Sequence, residues 1–183
     1  MKISHSKLEG CVIIEPRVFG DERGFFLETF QAARYKQEAG IDLPFVQDNH
    51  SRSARGVLRG LHFQKTKPQG KLVRVVRGEV YDVAVDIRKG SATFGEWEGV
   101  ILSEDNKKQF WVPPGFAHGF VVLSETAEFL YKTTDYWYPE YERTLRWNDP
   151  TLGIDWPLPS SLTAPLLAAK DAAGLPLSKA DTF

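Results

Sequence analysis

Residues 72–87 read LVRVVRGEVYDVAVDI, two runs rich in β-branched residues and separated by a single glycine. The second run alternates small or acidic residues with apolar ones, in the order Asp82, Val83, Ala84, Val85, Asp86 and Ile87. A period of two is typical of a β-strand. It predicts one buried face that carries the valines and a second, wetter face that carries the aspartates.

Similar short runs of β-branched and aromatic residues continue on both sides, from Val57 to Thr133. Gly, Pro, Asn and Asp separate them, and none shows the period of a helix. The runs predicted as strands are 72–77, 79–87, 95–102, 110–112, 120–123 and 128–133. Many short strands at this spacing predict an all-β sandwich or barrel.

The chain of 183 residues, 42% of them apolar, is predicted to form one domain with one sizeable core. An N-terminal strand arm is expected over residues 1–45, with a short helix at 29–39 that ends at Gly40. The barrel core is expected over about 46–147. In the tail, about 148–183, residues 162–173 are predicted to form one or two helical turns.

Charge and composition exclude several classes of protein. Because 23 basic residues nearly balance 24 acidic ones, no net field favours nucleic acid or an anionic membrane surface. No stretch approaches the roughly 20 apolar residues that a membrane span requires. A single cysteine, Cys11, cannot form an internal disulfide, and no secretion signal is evident near the N-terminus. We therefore expect a cytoplasmic protein.

Two of the four histidines stand in segments that suggest chemistry. His62 lies in a strand-like run, three residues from Arg59 and nine from Lys71. A neutral structural histidine is the ordinary interpretation, but these cations suit an anionic ligand or an enolate. His118 follows a turn with two prolines and two glycines, at the start of an apolar strand.

The segments around these two histidines resemble the paired motifs of the cupin superfamily of small jelly-roll barrels. Metal-binding cupins offer His-x-His and a glutamate from the first motif. Here Gln64 follows His62, and Lys65, Lys67 and Lys71 come next. Fixed ammonium groups oppose a divalent cation. We therefore predict no catalytic metal and no cofactor.

Longer motifs are similar to the dTDP-4-dehydrorhamnose 3,5-epimerase family: FGDERGFFLE at 19–28, QDNHS at 47–51, LRGLHFQ at 58–64, GKLV at 70–73 and PGFAHGF at 114–120. YKTT at 131–134, WNDP at 147–150 and KD at 170–171 extend the similarity over about residues 1–178. It implies an all-β, cupin-type jelly-roll barrel with an N-terminal strand arm and short C-terminal helices. It also implies an isomerase that inverts C3 and C5 of dTDP-4-keto-6-deoxy-D-glucose through enolates.

The resemblance further implies four catalytic residues. His62 would be the base, and Asp171 the carboxylate that fixes its tautomer. Lys71 would stabilise the enolate oxygen, and Tyr131 would return a proton from the opposite face. The ordinary alternatives are that Asp171 caps the last helical segment, that Lys71 is a strand-edge lysine, and that Tyr131 packs in the core.

Ten further residues are implied as substrate contacts: Arg23, Glu28, Gln47, Asp48, Asn49, Arg59, His118, Tyr138, Glu142 and Lys170. Guanidinium groups suit a diphosphate, and an aromatic ring suits stacking on thymine, although surface solvation and ordinary packing explain the same residues. In the family, the equivalents of Arg23 and Glu28 reach the partner subunit. This implies a homodimer with exchanged N-terminal strands.

Three other functions remain open on the sequence. An enzyme of the same fold could invert one carbon only, or move the ketone along the ring, in another dTDP-deoxysugar pathway. A non-catalytic jelly roll could bind a sugar nucleotide. A metal-dependent oxygenase is the third alternative, and Gln64 and the neighbouring lysines weigh against it.

Overall fold

Antiparallel strands dominate the computed structural model, which describes residues 1–158 and 160–183. The strands are β1 (Lys2–His5), β2 (Val12–Glu15), β3 (Val18–Asp21), β4 (Gly24–Leu27), β5 (Gln47–Ala54), β6 (Leu58–Gln64), β7 (Lys71–Arg77), β8 (Glu79–Asp86), β9 (Trp97–Ser103), β10 (Gln109–Val112), β11 (Phe116–Val122), β12 (Thr126–Thr133) and β13 (Glu142–Thr144). The helices are α1 (Ala32–Ala39), α2 (Ala169–Ala172) and two 3-10 turns at Pro139–Tyr141 and Leu177–Lys179.

Two sheets stack to form the barrel. One contains six strands in the order β1-β2-β10-β7-β12-β5, and the other contains five in the order β13-β6-β11-β8-β9. Neighbouring strands are antiparallel throughout both sheets. The predicted all-β jelly-roll architecture is confirmed, and each strand predicted from the alternating pattern overlaps an observed one. Strand β5 was not predicted, because its sequence QDNHSRSA is polar almost throughout.

The main core lies between the two sheets. Its fully buried side chains come from both, among them Val73, Phe110 and Phe129 on the six-stranded sheet and Val80 and Leu102 on the five-stranded sheet. Apolar side chains of this size contribute about 1.5–3 kcal/mol each when they are fully buried. This interior layer holds together the two sheets that carry the candidate site.

Both sheets also bury their outer faces. Helix α1 covers the outer face of the six-stranded sheet, where Tyr35 packs with Ile14 and Trp111. The C-terminal tail covers the outer face of the five-stranded sheet, where Trp156 and Leu177 join a cluster with the apolar face of β8. The tail is therefore part of the packed structure, which explains how it can supply a side chain to the cleft.

Strand β8 corrects the prediction of a wetter face. Asp82, Ala84 and Asp86 are all fully buried. Ala84 belongs to the interior core, whereas the alternate residues Val83 and Val85 pack under the tail. The strand lies between two others and is covered on both sides, so its polar face is the barrel interior. The alternation was read correctly, but its assignment to solvent was wrong.

The helices are shorter than predicted. Helix α1 begins at Ala32, where the side chain of Gln31 accepts a hydrogen bond from Arg34 N, and it ends at Gly40 as expected. Gly40 has a φ of 70°, a conformation that glycine adopts without steric cost. In the tail, only α2 is helical within the predicted range 162–173. None of the helices in the described residues has the length and apolar character needed to cross a bilayer.

The N-terminal segment divides into two parts. Strands β1 and β2 join the six-stranded sheet through the pairing of β2 with β10, so they belong to the barrel. Strands β3 and β4 pair only with each other. The resulting ribbon exposes large apolar side chains, with Phe25 62% and Phe26 70% accessible.

Candidate active site

The two sheets enclose a cleft of about 320 Å³. Strands of both sheets, the segment that follows β12 and the tail helix α2 contribute its walls. The lining residues are Gln47, Asn49, His50, Ser51, Arg59, His62, Gln69, Lys71, His118, Gly119, Phe120, Phe129, Tyr131, Trp137, Glu142, Ala168, Lys170 and Asp171. All four residues predicted as catalytic are therefore in one cleft.

His62 and Asp171 form a close pair inside the cleft. Nε2 of His62 lies 2.5 Å from Oδ1 of Asp171, and the Gly60 amide also donates to that oxygen at 3.4 Å. The Asp171 side chain is 2% exposed and that of His62 is 18% exposed. Because a carboxylate only accepts, Nε2 carries the hydrogen and Nδ1 keeps its lone pair. The carboxylate of Asp171 thus pairs with the histidine instead of capping a helix.

The electrostatics of this pair favour a neutral imidazole beside a charged carboxylate. Burial lowers the pKa of His62 below its usual value, and Asp171 opposes this only in part. Burial raises the pKa of Asp171, but the hydrogen bonds from His62 and the Gly60 amide, together with nearby positive charge, outweigh it and hold the pKa low. A neutral, oriented imidazole can accept a proton near neutral pH, which is the state that a general base requires.

Lys71 supplies a nearly buried cation. It begins β7, is 9% exposed, and its Nζ lies 3.3 Å from the backbone oxygen of His62. Burial lowers the pKa of Lys71 to about 8, while the carboxylate of Glu142 acts in the opposite direction. The group is therefore mostly charged at neutral pH. A desolvated ammonium of this kind stabilises negative charge that develops on an oxygen beside it.

Tyr131 lies on the wall opposite His62. It belongs to β12 of the six-stranded sheet, whereas His62 belongs to β6 of the five-stranded sheet. Its ring centroid is 6.0 Å from that of Phe129, on the same face of the strand. Burial raises the pKa of Tyr131, so its phenol keeps the proton at neutral pH. The cleft therefore places a proton acceptor and a proton donor on opposite sides.

Two glycines bring β6 and β11 unusually close. A Cβ on Gly60 would lie 2.6 Å from Cα of Gly119, and a Cβ on Gly119 would lie 2.5 Å from the Arg59 oxygen. Gly60 also has a φ of 122°, which side chains rarely allow. The close approach places His62 directly opposite His118 in the strand register. These glycines therefore set the spacing of the two cleft histidines.

His118 forms a second pair with a carboxylate, Asp82 of the adjacent strand β8. Its Nε2 lies 2.9 Å and 3.0 Å from the two carboxylate oxygens. The histidine is 7% exposed and the aspartate is fully buried. The His118 ring also lies 6.2 Å from that of Phe129. Its position in the cleft agrees with a contact to substrate, and Asp82 fixes its orientation.

An ion pair connects the tail to the barrel at the edge of the cleft. Nζ of Lys170 lies 2.8 Å from Oε2 of Glu142 on β13. Burial raises the pKa of Glu142, but the hydrogen bond from Lys170, together with the other hydrogen bond and the positive charge near the carboxyl, outweighs it and lowers the pKa, which keeps the carboxyl ionised. Lys170 directly precedes Asp171, so this pair holds the tail beside His62.

Three more of the predicted substrate contacts line the cleft. Arg59 is exposed at its wall, and its Nε donates to Ser53 Oγ at 3.0 Å. Gln47 and Asn49 alternate on β5 and face the same way, with Gln47 Nε2 donating to Asn49 Oδ1 at 3.0 Å. Strand β5 therefore places two side-chain amides in the cleft.

Four predicted contacts lie outside the cleft of their own chain. Asp48 is exposed and pairs with Lys132 at 2.9 Å. The hydroxyl of Tyr138 accepts from Lys67 Nζ at 3.1 Å, away from the cleft lining. The other two lie on or beside the ribbon. Arg23 pairs with Asp21 at 2.5 Å, and its side chain is 86% exposed. Glu28 pairs with Arg34 at 2.8 Å.

Several lining residues were not predicted. Trp137 lies in the cleft where Tyr138 was expected, so the aromatic wall is one residue earlier than predicted. Ser51 follows from the alternation of Gln47 and Asn49 once β5 is known to be a strand. The others are His50, Gln69, Gly119, Phe120, Phe129 and Ala168. No signal in the sequence distinguishes these from ordinary surface or core residues.

Comparisons with known proteins agree with this geometry. The sequence pattern of the dTDP-4-dehydrorhamnose 3,5-epimerase family matches residues 5–179. A dTDP-4-dehydrorhamnose 3,5-epimerase of Pseudomonas aeruginosa is 59% identical over 183 residues, 100% of this chain and 99% of that protein.

Solved structures extend the comparison. A dTDP-6-deoxy-D-glucose-3,5-epimerase of Legionella pneumophila, in complex with dTDP-4-keto-L-rhamnose, is 57% identical with a TM-score of 0.95, covering 98% of this chain and 94% of that chain. A 3'-monoepimerase of Streptomyces bikiniensis, in complex with dTDP-quinovose, is 34% identical with a TM-score of 0.89, covering 96% and 88%. The fold is thus shared along nearly the whole chain, which belongs to the dTDP-4-dehydrorhamnose 3,5-epimerase family.

Proposed function

We propose that this isomerase inverts C3 and C5 of dTDP-4-keto-6-deoxy-D-glucose and releases dTDP-4-keto-L-rhamnose, the precursor of L-rhamnose. The observation that carries the proposal is the His62–Asp171 pair, joined at 2.5 Å in the same cleft as Lys71 and Tyr131. The names of the most similar relatives and of the Legionella complex support the substrate.

The first step is proton abstraction. Nδ1 of neutral His62 accepts the proton from a carbon next to the C4 ketone, and the electron pair of that C–H bond moves onto the ketone oxygen. The Lys71 ammonium stabilises the resulting enolate, and Asp171 stabilises the imidazolium. General base catalysis of this kind contributes about 10²–10⁴-fold to the rate.

The second step is return of a proton to the opposite face. Tyr131 lies across the cleft from His62, so its phenol donates to the carbon from the other side and leaves that carbon inverted. The phenolate regains a proton from solvent, and His62 loses its own to solvent. The same residues then act on the second carbon. The stereochemical outcome therefore depends on the position of the two groups on opposite sheets.

The nucleotide is bound at the outer part of the cleft. Arg59 suits the diphosphate because a guanidinium offers several donors in fixed geometry. Trp137, with its side chain at the cleft and 52% of its surface exposed, is the aromatic ring placed to stack on thymine. Gln47 and Asn49 offer amide groups to the base or sugar.

We propose that two copies of the chain form a homodimer in which the ribbon of β3 and β4 is exchanged. The ribbon exposes Val18, Phe19, Phe25 and Phe26, large apolar side chains that a second protein chain would cover. Neither Arg23 nor Glu28 is among the residues that line the cleft of their own chain. Exchange would bring them to the site of the partner.

Mixing two inactive variants tests this shared site. If Arg23 serves the partner's cleft, a mixed dimer of Arg23→Ala and His62→Asn chains contains one complete site and regains activity. If Arg23 serves its own chain, no mixed dimer contains a complete site and the mixture stays inactive. Measuring the mass in solution by light scattering checks the dimer itself.

The activity is tested by NMR of the protein with dTDP-4-keto-6-deoxy-D-glucose in D2O, after treatment with a chelator. We expect deuterium at both C3 and C5, unchanged by the chelator and lost in His62→Asn. Incorporation at only one carbon would instead support a single-site epimerase such as the Streptomyces relative. Loss of activity on chelation would overturn the proposed independence from metal.

A cytoplasmic location is a further proposal, because the only cysteine, Cys11, is buried and unpaired, as suits a reducing compartment. The substrate is a sugar nucleotide, the kind of metabolite that cytoplasmic biosynthetic enzymes consume. Fractionation of the cell with an antibody to the protein tests this location, and recovery from the extracytoplasmic fraction would contradict it.

A further inference from the structure

Three glutamine side chains hold the segment between β12 and the following 3-10 turn, residues 135–138. Gln69 Nε2 donates to the Asp135 oxygen at 2.9 Å, and Gln47 Oε1 accepts from the Trp137 amide at 3.1 Å. Gln64 contacts the segment twice, as described next. Every residue of the segment thus has a backbone group bonded to a glutamine. We name Gln47, Gln64 and Gln69 the glutamine clamp.

Gln64 is the central member of the clamp. Its Nε2 donates to the Tyr136 oxygen at 3.1 Å and to the Lys67 oxygen at 2.9 Å. Its Oε1 accepts from the Tyr138 amide at 2.7 Å. The residue is 3% exposed. One buried side chain therefore connects strand β6, the turn after it and the segment that carries Trp137.

Only glutamine can make this set of bonds. A primary amide offers two N–H donors and an acceptor oxygen, whereas a glutamate side chain only accepts when ionised. An aliphatic side chain of similar size makes none of the bonds, so the Lys67 and Tyr136 carbonyls and the Tyr138 amide lose this partner. The loss of such bonds is expensive in a buried position.

The segment held by the clamp carries Trp137, which forms part of the cleft wall. Trp137 lines the cleft but is 52% exposed, so packing alone does not fix its ring. A segment free to move would lose conformational entropy each time the ligand bound, and this would weaken affinity. The clamp removes that cost by ordering the backbone on both sides of Trp137 before the ligand arrives.

We propose that Gln64 is a positioning residue for nucleotide recognition, which acts by holding Trp137 in place against the base. The proposal rests on the proposed function and assigns to Gln64 a role separate from that of His62, two residues earlier on the same strand. Gln69 supports the same segment from its other end. The clamp sets affinity for the nucleotide, and the chemistry stays with the catalytic residues.

Titration of dTDP into the wild type and into Gln64→Leu, followed by calorimetry, tests the proposal. We expect Kd to rise about tenfold, as loss of one or two buried hydrogen bonds predicts. In turnover of the sugar nucleotide, KM should rise by a similar factor while kcat stays within about twofold. A loss of kcat with unchanged Kd would overturn the assignment.

A matched control is Gln109→Leu. Gln109 is also a buried glutamine, 1% exposed, which bonds the Thr29 oxygen at 2.8 Å and the Tyr35 hydroxyl at 2.9 Å on the outer side of the sheet. We expect this variant to lose stability without any change in Kd. An equal rise of Kd in both variants would show that Gln64 acts only through general stability.

A double variant tests whether Gln64 acts through Trp137. In a Trp137→Ala background, Gln64→Leu should change Kd by less than about twofold, because the ring it positions is gone. Additive effects of the two substitutions on the free energy of binding would overturn the proposal.

If Gln64→Leu does not fold, Gln69→Leu is the alternative variant. It removes one hydrogen bond of a half-buried residue and should raise Kd about threefold. If the wild type itself binds no dTDP, that result contradicts the proposed function, whereas the results above for the Gln64 variants contradict the proposed role of the clamp.

Discussion

The cleft contains two histidine–carboxylate pairs that are built in different ways. His118 and Asp82 are 36 residues apart and come from neighbouring strands of one sheet, so the strand register alone brings them together. His62 and Asp171 are 109 residues apart and meet only because the C-terminal tail packs onto the barrel. The first pair is part of the scaffold, and the second is assembled across two parts of the chain.

This difference separates a structural task from a chemical one. The His118–Asp82 pair is almost completely enclosed, with the aspartate at 0% and the histidine at 7% exposure. His62 keeps 18% of its side chain exposed, which leaves it open to a substrate. We therefore expect changes in the scaffold pair to act mainly on stability and binding, and changes in the assembled pair to act on turnover.

The largest effect is expected from His62→Asn compared with His118→Asn. Loss of the base should lower kcat by about 10³-fold or more, whereas His118→Asn should lower kcat/KM by about tenfold, mainly through KM. Deuterium exchange and steady-state kinetics measure both. Equal losses of kcat in the two variants would remove the distinction between the pairs.

Substitution of the two carboxylates should show the same contrast, with Asp171 affecting turnover and Asp82 affecting stability. Asp171→Asn replaces the carboxylate with an amide that can donate as well as accept, so the tautomer of His62 is no longer fixed and its imidazolium is no longer stabilised by a negative charge. We therefore expect kcat to fall about 10²-fold with little change in melting temperature. Asp82→Asn should instead reduce the free energy of unfolding by about 1–3 kcal/mol, since it disturbs a buried hydrogen bond. Thermal unfolding and kinetics on the same samples give both numbers. A destabilised Asp171→Asn that retains kcat would reverse the assignment.

The pH profile is the next test. In the proposed mechanism only the ammonium form of Lys71, whose pKa is about 8, stabilises the enolate, so activity should fall as pH rises through that value. It should also fall in acid as His62, whose pKa is lowered by burial, becomes protonated. At pH 9, kcat/KM should be about tenfold below its maximum.

Lys71→Arg provides the control for this profile, because a guanidinium stays charged throughout the range. The maximal activity of this variant should be lower, but its basic limb should move well above pH 8. A basic limb that stays near 8 in Lys71→Arg would assign the limb to another group.

The smallest effect concerns the tail ion pair of Glu142 and Lys170. Lys170 is 51% exposed, so solvent screens the interaction and Glu142→Gln should lower kcat by only about threefold. The charge-swapped Glu142→Lys, Lys170→Glu chain should regain part of kcat if the pair positions Asp171. Kinetics at low and high salt measure this effect. No recovery in the swapped chain would show that the two residues act through contacts to the substrate.

The strands were predictable because alternation is a local property. Residues such as Val83 and Val85 report a shared face without any knowledge of the fold. Strand β5 escaped prediction because its polar side chains carry no apolar alternation. The buried state of Asp82 and Asp86 escaped for the opposite reason, since the alternation was clear but the layer that covers each face was not.

The site was predictable only as far as its motifs reached. Sequence motifs brought out His62, Lys71, Tyr131 and Asp171, and the structure places all four in one cleft. The aromatic wall was displaced by one residue, because three consecutive aromatic residues give no indication of which one faces inward. The clamp residue Gln64 was noticed only for its lack of metal-binding character.

The amino-acid sequence by itself determined the strand content, the end of helix α1 and the residue types available for proton transfer. Each of these depends on local conformational preference or on side-chain chemistry. Only the tertiary structure decided which carboxylate meets which histidine and which polar face is buried. The physical reason is that burial and ion pairing depend on what packs against a residue, and those partners lie in distant parts of the chain.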